Sequence, residues 1–284
     1  MIKQAWGDSP RWRARLAHLV AALPPAALAV AISSSSLAAQ HAGDTTKTFF
    51  TRRDVAYSAA ALAGTGIISI FDKRIANYTQ SSTVQGSSSR HTAAGDLTRV
   101  NETTLTEAAI VAYAVGRLSH SATIADVAAH TGESVILTSV ISQIIRGPLG
   151  RARPSVSPDD QYHFQFGKGF THFDNRSFPS LHSATAFAAA SALVGEIHER
   201  DPNASWFAAP ILYAAAAVPG LTRMYLNEHW ASDVVAGAFV GTLIGSRVVH
   251  YAHTHKRTKL DRFLLGTTVA PTAHGMSVGM SFTP

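Results

Sequence analysis

The sequence predicts an all-α protein, a compact helical bundle with a short β-like C-terminal tail, from three observations. Apolar residues recur at helical spacing across residues 40–262, and strong strand-type alternation is absent from that region. The 284-residue chain is 46% hydrophobic and 15% charged, so it has ample apolar material for a core. It contains no cysteine, which excludes a disulfide scaffold, a thiol nucleophile and a cysteine-ligated metal centre.

A secretory signal peptide is predicted for residues 1–39. Basic residues are concentrated in residues 1–15, an apolar centre covers 16–32, and the small residues Leu37-Ala38-Ala39 end the segment. An uncleaved N-terminal membrane anchor is the alternative. Either segment exports the body of the chain, so the expected location is the periplasm or the envelope, including a membrane-bound form.

The formal net charge of +6 indicates an anionic partner. Part of the positive charge lies in the N-terminal segment, so the rest of the chain is less basic than the total suggests. No basic face interleaved with aromatic residues is visible, and a nucleic-acid partner is therefore not expected.

Helices are predicted along the body wherever apolar residues follow the helical period. Asp54 and Asp72 flank the first helix, which is built from small apolar residues, and a later helix is rich in alanine. Between the first two helices, the serine-rich residues 81–90 predict a flexible linker or a mobile loop. The predicted helices cover residues 55–71, 105–118, 125–145, 183–197, 206–222 and 233–250.

The predicted helices are poor candidates for membrane spans. A span needs about 20 mostly apolar residues. The uncharged stretches between Glu133 and Arg146 and between Asp233 and Arg247 are shorter than that, and only 55–71 and 203–222 come close. The sequence therefore favours a soluble or peripherally attached helical body over a polytopic membrane protein.

The C-terminal residues 263–284 form a separate tail. Met276, Val278, Met280 and Phe282 alternate with small or polar residues, which is a strand pattern. The predicted strand either lies on the helical body or is added to a sheet of an envelope partner.

A first basic motif follows the helix predicted at 125–145. It runs from Arg146 to Arg153-Pro154, with Arg151 between them. Gly147 and Pro148 are expected to end the helix, which would display the arginines on irregular chain. Arginine offers fixed donors that match phosphate oxygens, although a solvated basic loop would have the same sequence.

A second motif, Pro179-Ser180-Leu181-His182, begins the alanine-rich helix. The free N–H groups of a helix N-terminus form an anion site, and a histidine in the first turn could donate a proton to a bound group. The alternative is that Ser180 is an ordinary N-cap and His182 a surface residue.

A third motif runs from Arg223 to His229 and Asp233. In a helix, positions i and i+4 share a face. An aspartate bound to one imidazole nitrogen fixes the tautomer and leaves the other nitrogen nucleophilic. The alternative is a helix-capping aspartate beside an incidental histidine.

Taken in order, the three motifs resemble the phosphatidic acid phosphatase type 2 superfamily, which includes bacterial non-specific acid phosphatases and vanadium haloperoxidases. The family pattern is Lys-x6-Arg-Pro, then Pro-Ser-Gly-His, then Ser-Arg-x5-His-x3-Asp. The spacings within each motif are intact between Arg146 and Asp233, but three positions differ. Arg146 replaces lysine, Leu181 replaces glycine and Thr222 replaces serine.

The resemblance implies a role for each matching residue. His229 is the expected nucleophile that forms a phosphohistidine, Asp233 orients it, and His182 protonates the leaving group and then activates water. The remaining residues are expected to hold the phosphoryl oxygens. They are Arg146, Arg153, Ser180, Leu181 through its N–H group, and Arg223.

The resemblance also implies a helical phosphatase domain over residues 40–262 that hydrolyses phosphate monoesters without a metal. A lipid phosphate is the preferred substrate, and a soluble phosphomonoester handled by a periplasmic acid phosphatase is the alternative. A vanadate-dependent haloperoxidase and a non-catalytic binding protein for phosphate headgroups, disabled by Leu181, also remain open. No cofactor is expected except vanadate in the haloperoxidase case.

Two histidine-containing groups and one loop fall outside the motifs. Asp126, His130 and Glu133 have the helical spacing of a metal site, but such pairs are often only structural. The histidines at 250, 253 and 255 precede basic residues, and a solvated helix end is preferred to a metal tract or a membrane-surface patch. The aromatic residues at 162–173 predict either a lid with an acyl-chain groove or a satellite core.

Overall fold

The computed structural model describes residues 49–255, 267–272 and 275–280, and the predicted signal peptide lies outside them. The described helical region confirms the all-α prediction. Two short 3₁₀ turns, Lys168–Phe170 and Phe173–Asn175, lie between the sixth and seventh α-helices. The α-helices are α1 Arg52–Ser69, α2 Asp72–Thr79, α3 Ser82–Gln85, α4 Ser88–Leu97, α5 Glu102–Leu118, α6 Ala122–Leu149, α7 Leu181–Arg200, α8 Pro202–Tyr225 and α9 Ala231–Thr254.

Helices α7 and α9 form the centre of the bundle and approach each other closely along a row of glycines. A Cβ atom at Gly237 would lie 2.4 Å from the carbonyl oxygen of Ser180, and one at Gly241 would lie 2.0 Å from that of Ala184. Gly245 repeats the arrangement against Ala188. Small residues four apart let two helix backbones touch, so this row brings the N-terminus of α7 against the start of α9.

The end of α6 differs from the prediction. Gly147 and Pro148 do not end the helix, which continues to Leu149, so Arg146 projects from its last turn rather than from irregular chain. Proline lacks the N–H that would close one bond of the last turn, and the helix continues for one residue beyond it. The helix ends at Gly150, which adopts the left-handed conformation with φ of 60° and donates its N–H to the carbonyl of Arg146 at 3.1 Å.

The serine-rich residues 81–90 do not form the predicted linker. They contain α3 and the start of α4, where the Ser87 side chain accepts a hydrogen bond from the N–H of Arg90. Serine next to a helix supplies an N-cap, and this local hydrogen bond replaces the flexibility that composition alone predicted. The amide of Gln85 also donates to the carbonyl of Tyr225 at 2.9 Å, which attaches α3 to the end of α8.

The prediction that the helices are poor candidates for membrane spans is wrong for part of the bundle. Helices α6, α8 and α9 are long and apolar enough to cross a membrane, and the bent pair α1 and α2 adds a fourth candidate if it is counted as one span. Arg247 interrupts the apolar stretch of α9 in the sequence, but its side chain is only 13% exposed and pairs with Asp54, and a span tolerates a few charges that face the bundle interior.

The outer surface of these helices supports membrane association. Trp206 and Phe207 at the start of α8 are 74% and 78% exposed, and Ile144 on α6 is 65% exposed. Many large apolar side chains exposed on the same helices are uncommon on soluble monomers. Exposed large apolar side chains continue along α1 and α5 at Val55, Leu62, Ile67, Ile110, Val111 and Val115.

The tail contains an antiparallel hairpin, β1 Thr267–Thr272 paired with β2 Gly275–Met280, with Val269 opposite Val278. The predicted strand pattern at 276–280 is therefore confirmed, while Phe282 lies outside the described residues. The strand pairs with an adjacent segment of the same tail.

Candidate active site

The three motifs meet at one end of the bundle, where α6 ends, α7 and α9 begin, and the turn after α8 returns the chain. The N–H of Ser180 donates to the carbonyl oxygen of Asp233 at 2.9 Å, which joins the second motif to the third. The N–H of Ser155, just after the first motif, donates to the carbonyl of Asn227 at 3.1 Å. Asn227 has a φ of 60°, a conformation that asparagine tolerates, and it turns the chain towards His229.

Asp233 is fully buried, and its carboxylate accepts hydrogen bonds from three donors. Its Oδ1 accepts from Arg151 Nη1 at 2.6 Å. Its Oδ2 accepts from Ser177 Oγ at 2.5 Å and from the backbone N–H of Trp230 at 2.8 Å. His229 Nδ1 lies 3.7 Å from Oδ2, which is within ion-pair range but beyond hydrogen-bond distance, so Nδ1 makes no hydrogen bond with the described residues. A buried carboxylate with this many partners stays ionised and fixed in orientation.

A second buried carboxylate, Asp72 from α2, extends this network. Arg151 Nη2 donates to Asp72 Oδ2 at 2.8 Å, and the N–H of Ser232 donates to Asp72 Oδ1 at 2.8 Å. The hydroxyl of Ser232 also donates to Asp72. Arg151 is thus clamped between the two carboxylates, with further donation to the carbonyl of Gln161. It positions Asp233 rather than facing the centre of the site.

His229 is buried between Asp233 and the arginines. Burial lowers its pKa to about 4, and the nearby Asp233 offsets only part of that effect. The ring is therefore neutral near pH 7. Because Nδ1 faces Asp233, Nε2 is the nitrogen directed away from that carboxylate, with its lone pair free to attack.

Arg153 and Arg223 share one partner, the carboxylate of Glu228. Arg223 Nη2 lies 3.0 Å from Glu228 Oε2, and Arg153 Nη1 is also paired with that atom. The guanidinium of Arg153 additionally lies 3.9 Å from the ring centroid of Phe173. Glu228 directly precedes His229, so a carboxylate lies on two of the arginines that the resemblance assigns to phosphate.

Buried donors without partners mark the same side of the site. The Nε atoms of Arg153 and Arg223 and the hydroxyl of Ser180 have no hydrogen-bond partner among the described residues. Ser180 is the N-cap of α7, but its side chain makes no capping hydrogen bond. The alternative interpretation of Ser180 as an ordinary N-cap is therefore wrong. Buried polar groups normally find partners, and these three groups are available to a polar ligand.

Arg146 and His182 complete the cluster. Arg146 donates from Nε to the carbonyl of Arg176 at 3.0 Å and interacts electrostatically with Asp233 and Arg223. His182, the second residue of α7, has its pKa lowered to about 3, first by burial and then by the positive charge of Arg223. Its interactions with Arg223 and His229 place it at the centre of the cluster rather than on the surface.

Leu181 occupies the first position of α7 with its side chain buried. Its backbone N–H belongs to the first turn, whose N–H groups have no acceptor within the helix. The substitution for glycine therefore preserves the donor. All of the predicted site residues fall in this one cluster.

The aromatic residues at 162–173 lie beside the site and are mostly exposed. Phe166, Phe170 and Phe173 are exposed to 79%, 63% and 63%, so the predicted satellite core is wrong. Phe170 packs on Gly147 at the end of α6, where a Cβ atom would approach its ring to 2.3 Å. An exposed aromatic segment that borders a polar site fits the lid or groove alternative.

Three residues of the site were missed as functional groups at the sequence level, and the role of a fourth differs from the prediction. Arg151 was expected to be displayed with the other arginines of the first motif as a donor for phosphate, whereas it is paired with Asp233 and Asp72. Ser177 and Glu228 are adjacent to motif residues. Asp72 was visible only as a residue that flanks a helix, because no local pattern connects it to Asp233.

Similarity to known proteins includes the region that carries the three motifs. The PAP2 superfamily model matches residues 128–257, which include all three motifs. A lipid A 1-phosphatase of Porphyromonas gingivalis is 45% identical over 69 residues, covering 24% of this chain and 15% of that protein. A lipid A 1-phosphatase of Rhizobium johnstonii is 31% identical over 115 residues, covering 38% and 41%.

A further relative, a lipid A 1-phosphatase of Rhizobium etli, is 30% identical over 122 residues, covering 40% of this chain and 46% of that protein. The matched segments thus span less than half of the length of each relative. Among solved structures, a transmembrane PAP2-type phosphatidylglycerolphosphate phosphatase from Bacillus subtilis aligns with a TM-score of 0.33 and 18% identity, over 69% of this chain and 98% of that chain. The region that carries the three motifs is therefore the part of the chain that matches the PAP2 superfamily model.

Proposed function

We propose that the protein is a phosphatase that hydrolyses lipid phosphate monoesters through a phosphohistidine on His229. The observation that carries the proposal is the arrangement of two neutral histidines around arginines whose buried Nε donors are unpaired. Three arginines and a helix N-terminus can stabilise the charge of a transferring phosphoryl group without a metal ion.

In the first step, Nε2 of His229 attacks phosphorus while the bond from phosphorus to the ester oxygen breaks. Asp233 stabilises the positive charge that develops on the ring, because its carboxylate is already fixed by Arg151 and Ser177. His182 gives a proton to the leaving alkoxide. The pKa of His182 is low in the free protein, and the negative charge of bound substrate raises it so that the ring can carry that proton.

In the second step, His182 removes a proton from water, which attacks the phosphohistidine. The phosphorus–nitrogen bond breaks, inorganic phosphate leaves, and His229 returns to its neutral form. A placed general acid and base of this kind contributes about 10²–10⁴-fold to the rate.

The substrate class is proposed from the surroundings of the site. The exposed apolar faces of α1, α5, α6 and α8 favour a bilayer environment, and the exposed aromatic residues at 166–173 border the phosphate-facing arginines. A lipid phosphate could keep its acyl chains in apolar surroundings while its headgroup reaches Arg153. Because three relatives are lipid A 1-phosphatases, lipid A 1-phosphate is the first substrate to test. An exported, periplasm-facing site agrees with the signal peptide expected from residues 1–39.

Phosphate release from detergent-dispersed lipids in EDTA tests this function. The substrates are lipid A, phosphatidic acid and the soluble p-nitrophenyl phosphate, each with the wild type and the His229→Ala variant. We expect release from at least one lipid that falls by about 10⁴-fold or more in the variant, because removal of a nucleophile leaves only residual catalysis.

Each other outcome has a definite meaning. Release from p-nitrophenyl phosphate alone would replace the lipid substrate with soluble phosphomonoesters. Tight lipid binding without release would support a headgroup-binding protein. Halide oxidation that depends on added vanadate would support the haloperoxidase.

A further inference from the structure

We infer that the protein has a second, metal-binding site at the opposite end of the bundle, formed by His130 of α6, Glu196 of α7 and His253 of α9. His130 Nδ1 lies 2.5 Å and His253 Nε2 lies 3.1 Å from the same atom, Glu196 Oε1. All three ligand atoms lie within 4.8 Å of one another. The inferred ligand is a divalent transition-metal ion of the zinc type.

The donor set and its geometry fit such an ion. Two imidazole nitrogens and one carboxylate oxygen form a common protein ligand set for Zn²⁺, with bonds of about 2.0–2.2 Å and an open fourth position. Tetrahedral coordination at those bond lengths separates two ligand atoms by about 3.3 Å. The separation of His253 and Glu196 is already close to this value, and that of His130 and Glu196 needs to lengthen by less than an ångström.

The groups around the three ligands favour a cation there. Glu196 is fully buried, and Arg200 pairs with its other oxygen, Oε2, which orients Oε1 towards both imidazoles. Such outer contacts fix the orientation of metal ligands. Asp126 and Glu133 interact electrostatically with His130 and add negative charge. The His253 side chain is 30% exposed, which provides a route for the ion to enter.

The inferred metal site lies far from the phosphatase site. Glu196 follows His182 by 14 residues along α7, and His253 follows Asp233 by 20 along α9. At a rise of 1.5 Å per residue, the second site lies roughly 20–30 Å from the first. The metal therefore has no part in phosphoryl transfer. It joins α6, α7 and α9 at the end of the bundle that lies away from the three motifs.

Zinc titration of the full chain, purified without a polyhistidine tag and stripped with EDTA, tests this inference. We expect isothermal calorimetry to show binding of one equivalent of Zn²⁺ and a higher melting temperature with the ion. His253→Ala is expected to weaken binding at least tenfold. His255→Ala is the matched control, because His255 lies two residues away and outside the cluster, and it should keep full binding.

A second variant distinguishes loss of the metal site from loss of the fold. Glu196→Gln keeps the shape of the buried side chain but removes its charge, and it should also lose the ion. Both cluster variants should elute as the wild type does in size-exclusion chromatography and release phosphate in EDTA at its rate. No uptake by the wild type would overturn the inference, as would uptake that is equal in His253→Ala or is lost in His255→Ala.

Discussion

The two halves of the phosphatase site differ in how completely their buried charges are paired. Around Asp233, every charged group has several partners, and Arg151 is clamped between Asp233 and Asp72. Around Arg153 and Arg223, one carboxylate serves both arginines and their Nε atoms remain unpaired. We call these the positioning half and the binding half.

The difference shows where the protein uses hydrogen bonds for stability and where it reserves them for a ligand. A buried charge costs several kcal/mol unless it is paired, so the positioning half must be complete to fold. The binding half keeps donors that only a ligand with several oxygens can satisfy together. Mutations in the two halves should therefore separate stability from activity.

The largest effect is expected in the binding half. Arg223→Ala should lower kcat by about 10²–10³-fold, because it removes a donor for the charge of the transferring phosphoryl group. The melting temperature should change little, since Arg223 has one ionic partner and its Nε atom is unpaired. Phosphate-release kinetics and thermal unfolding check both parts. A large loss of stability with activity retained in the folded fraction would reverse the assignment.

A mutation in the positioning half should mainly lower the stability of the protein. Asp72→Ala leaves Arg151 short of a buried partner, so the free energy of unfolding should fall by about 3–5 kcal/mol. We also expect kcat to fall about tenfold, because Arg151 would no longer be fixed against Asp233. Asp96→Ala is the control, since among the described residues the Asp96 carboxylate pairs with Arg99 alone, on the surface, and the change should affect neither quantity. An Asp72→Ala protein of wild-type stability would contradict the distinction.

A mutation of Glu228 tests whether its carboxylate competes with the substrate in the binding half. Its carboxylate competes with substrate phosphate for Arg153 and Arg223, so Glu228→Gln should lower KM several-fold and leave kcat within about twofold. Steady-state kinetics on a dispersed lipid phosphate measures both constants. A higher KM in this variant would show that Glu228 helps to organise the arginines for substrate.

The smallest expected effect is the response of His229 to pH. Its pKa is lowered to about 4 by burial, so the ring should remain neutral and nucleophilic from pH 8 down to pH 5. A histidine with an ordinary pKa of about 6.5 would be roughly 97% protonated at pH 5. NMR of histidine-labelled protein, with His229→Ala to assign the signal, should show no titration of this ring over that range. A midpoint near 6.5 would mean that the site is open to water.

Features that depend on residues close together in the sequence, namely the motif spacings and the helices, could be predicted. The spacing of Arg146 with Arg153 and that of His229 with Asp233 indicated both the family resemblance and the predicted site. They could do so because each pair lies on one short segment of chain. The helix periods predicted most of α1 and α5 to α9, with errors of a few residues at their ends.

Contacts between distant parts of the chain could not be predicted. Asp72 meets Ser232 across 160 residues, and His130 meets Glu196 across 66, so no spacing in the sequence signals either pair. The sequence suggested Asp126 and Glu133 as partners of His130 on its own helix, whereas its ligand-like contact comes from α7. The candidate membrane spans were also missed, because the burial of individual charges such as Arg247 depends on the neighbouring helices.

The most direct test of the account is to trap the covalent intermediate. His182→Ala removes the group that activates water, while p-nitrophenyl phosphate has a leaving group that needs no acid, so phosphate should accumulate on the protein. After rapid alkaline quench, we predict by mass spectrometry one acid-labile phosphate on the peptide that contains His229, and none in His182→Ala/His229→Ala. Phosphate on another residue, or turnover by His229→Ala at the wild-type rate, would contradict the phosphohistidine mechanism.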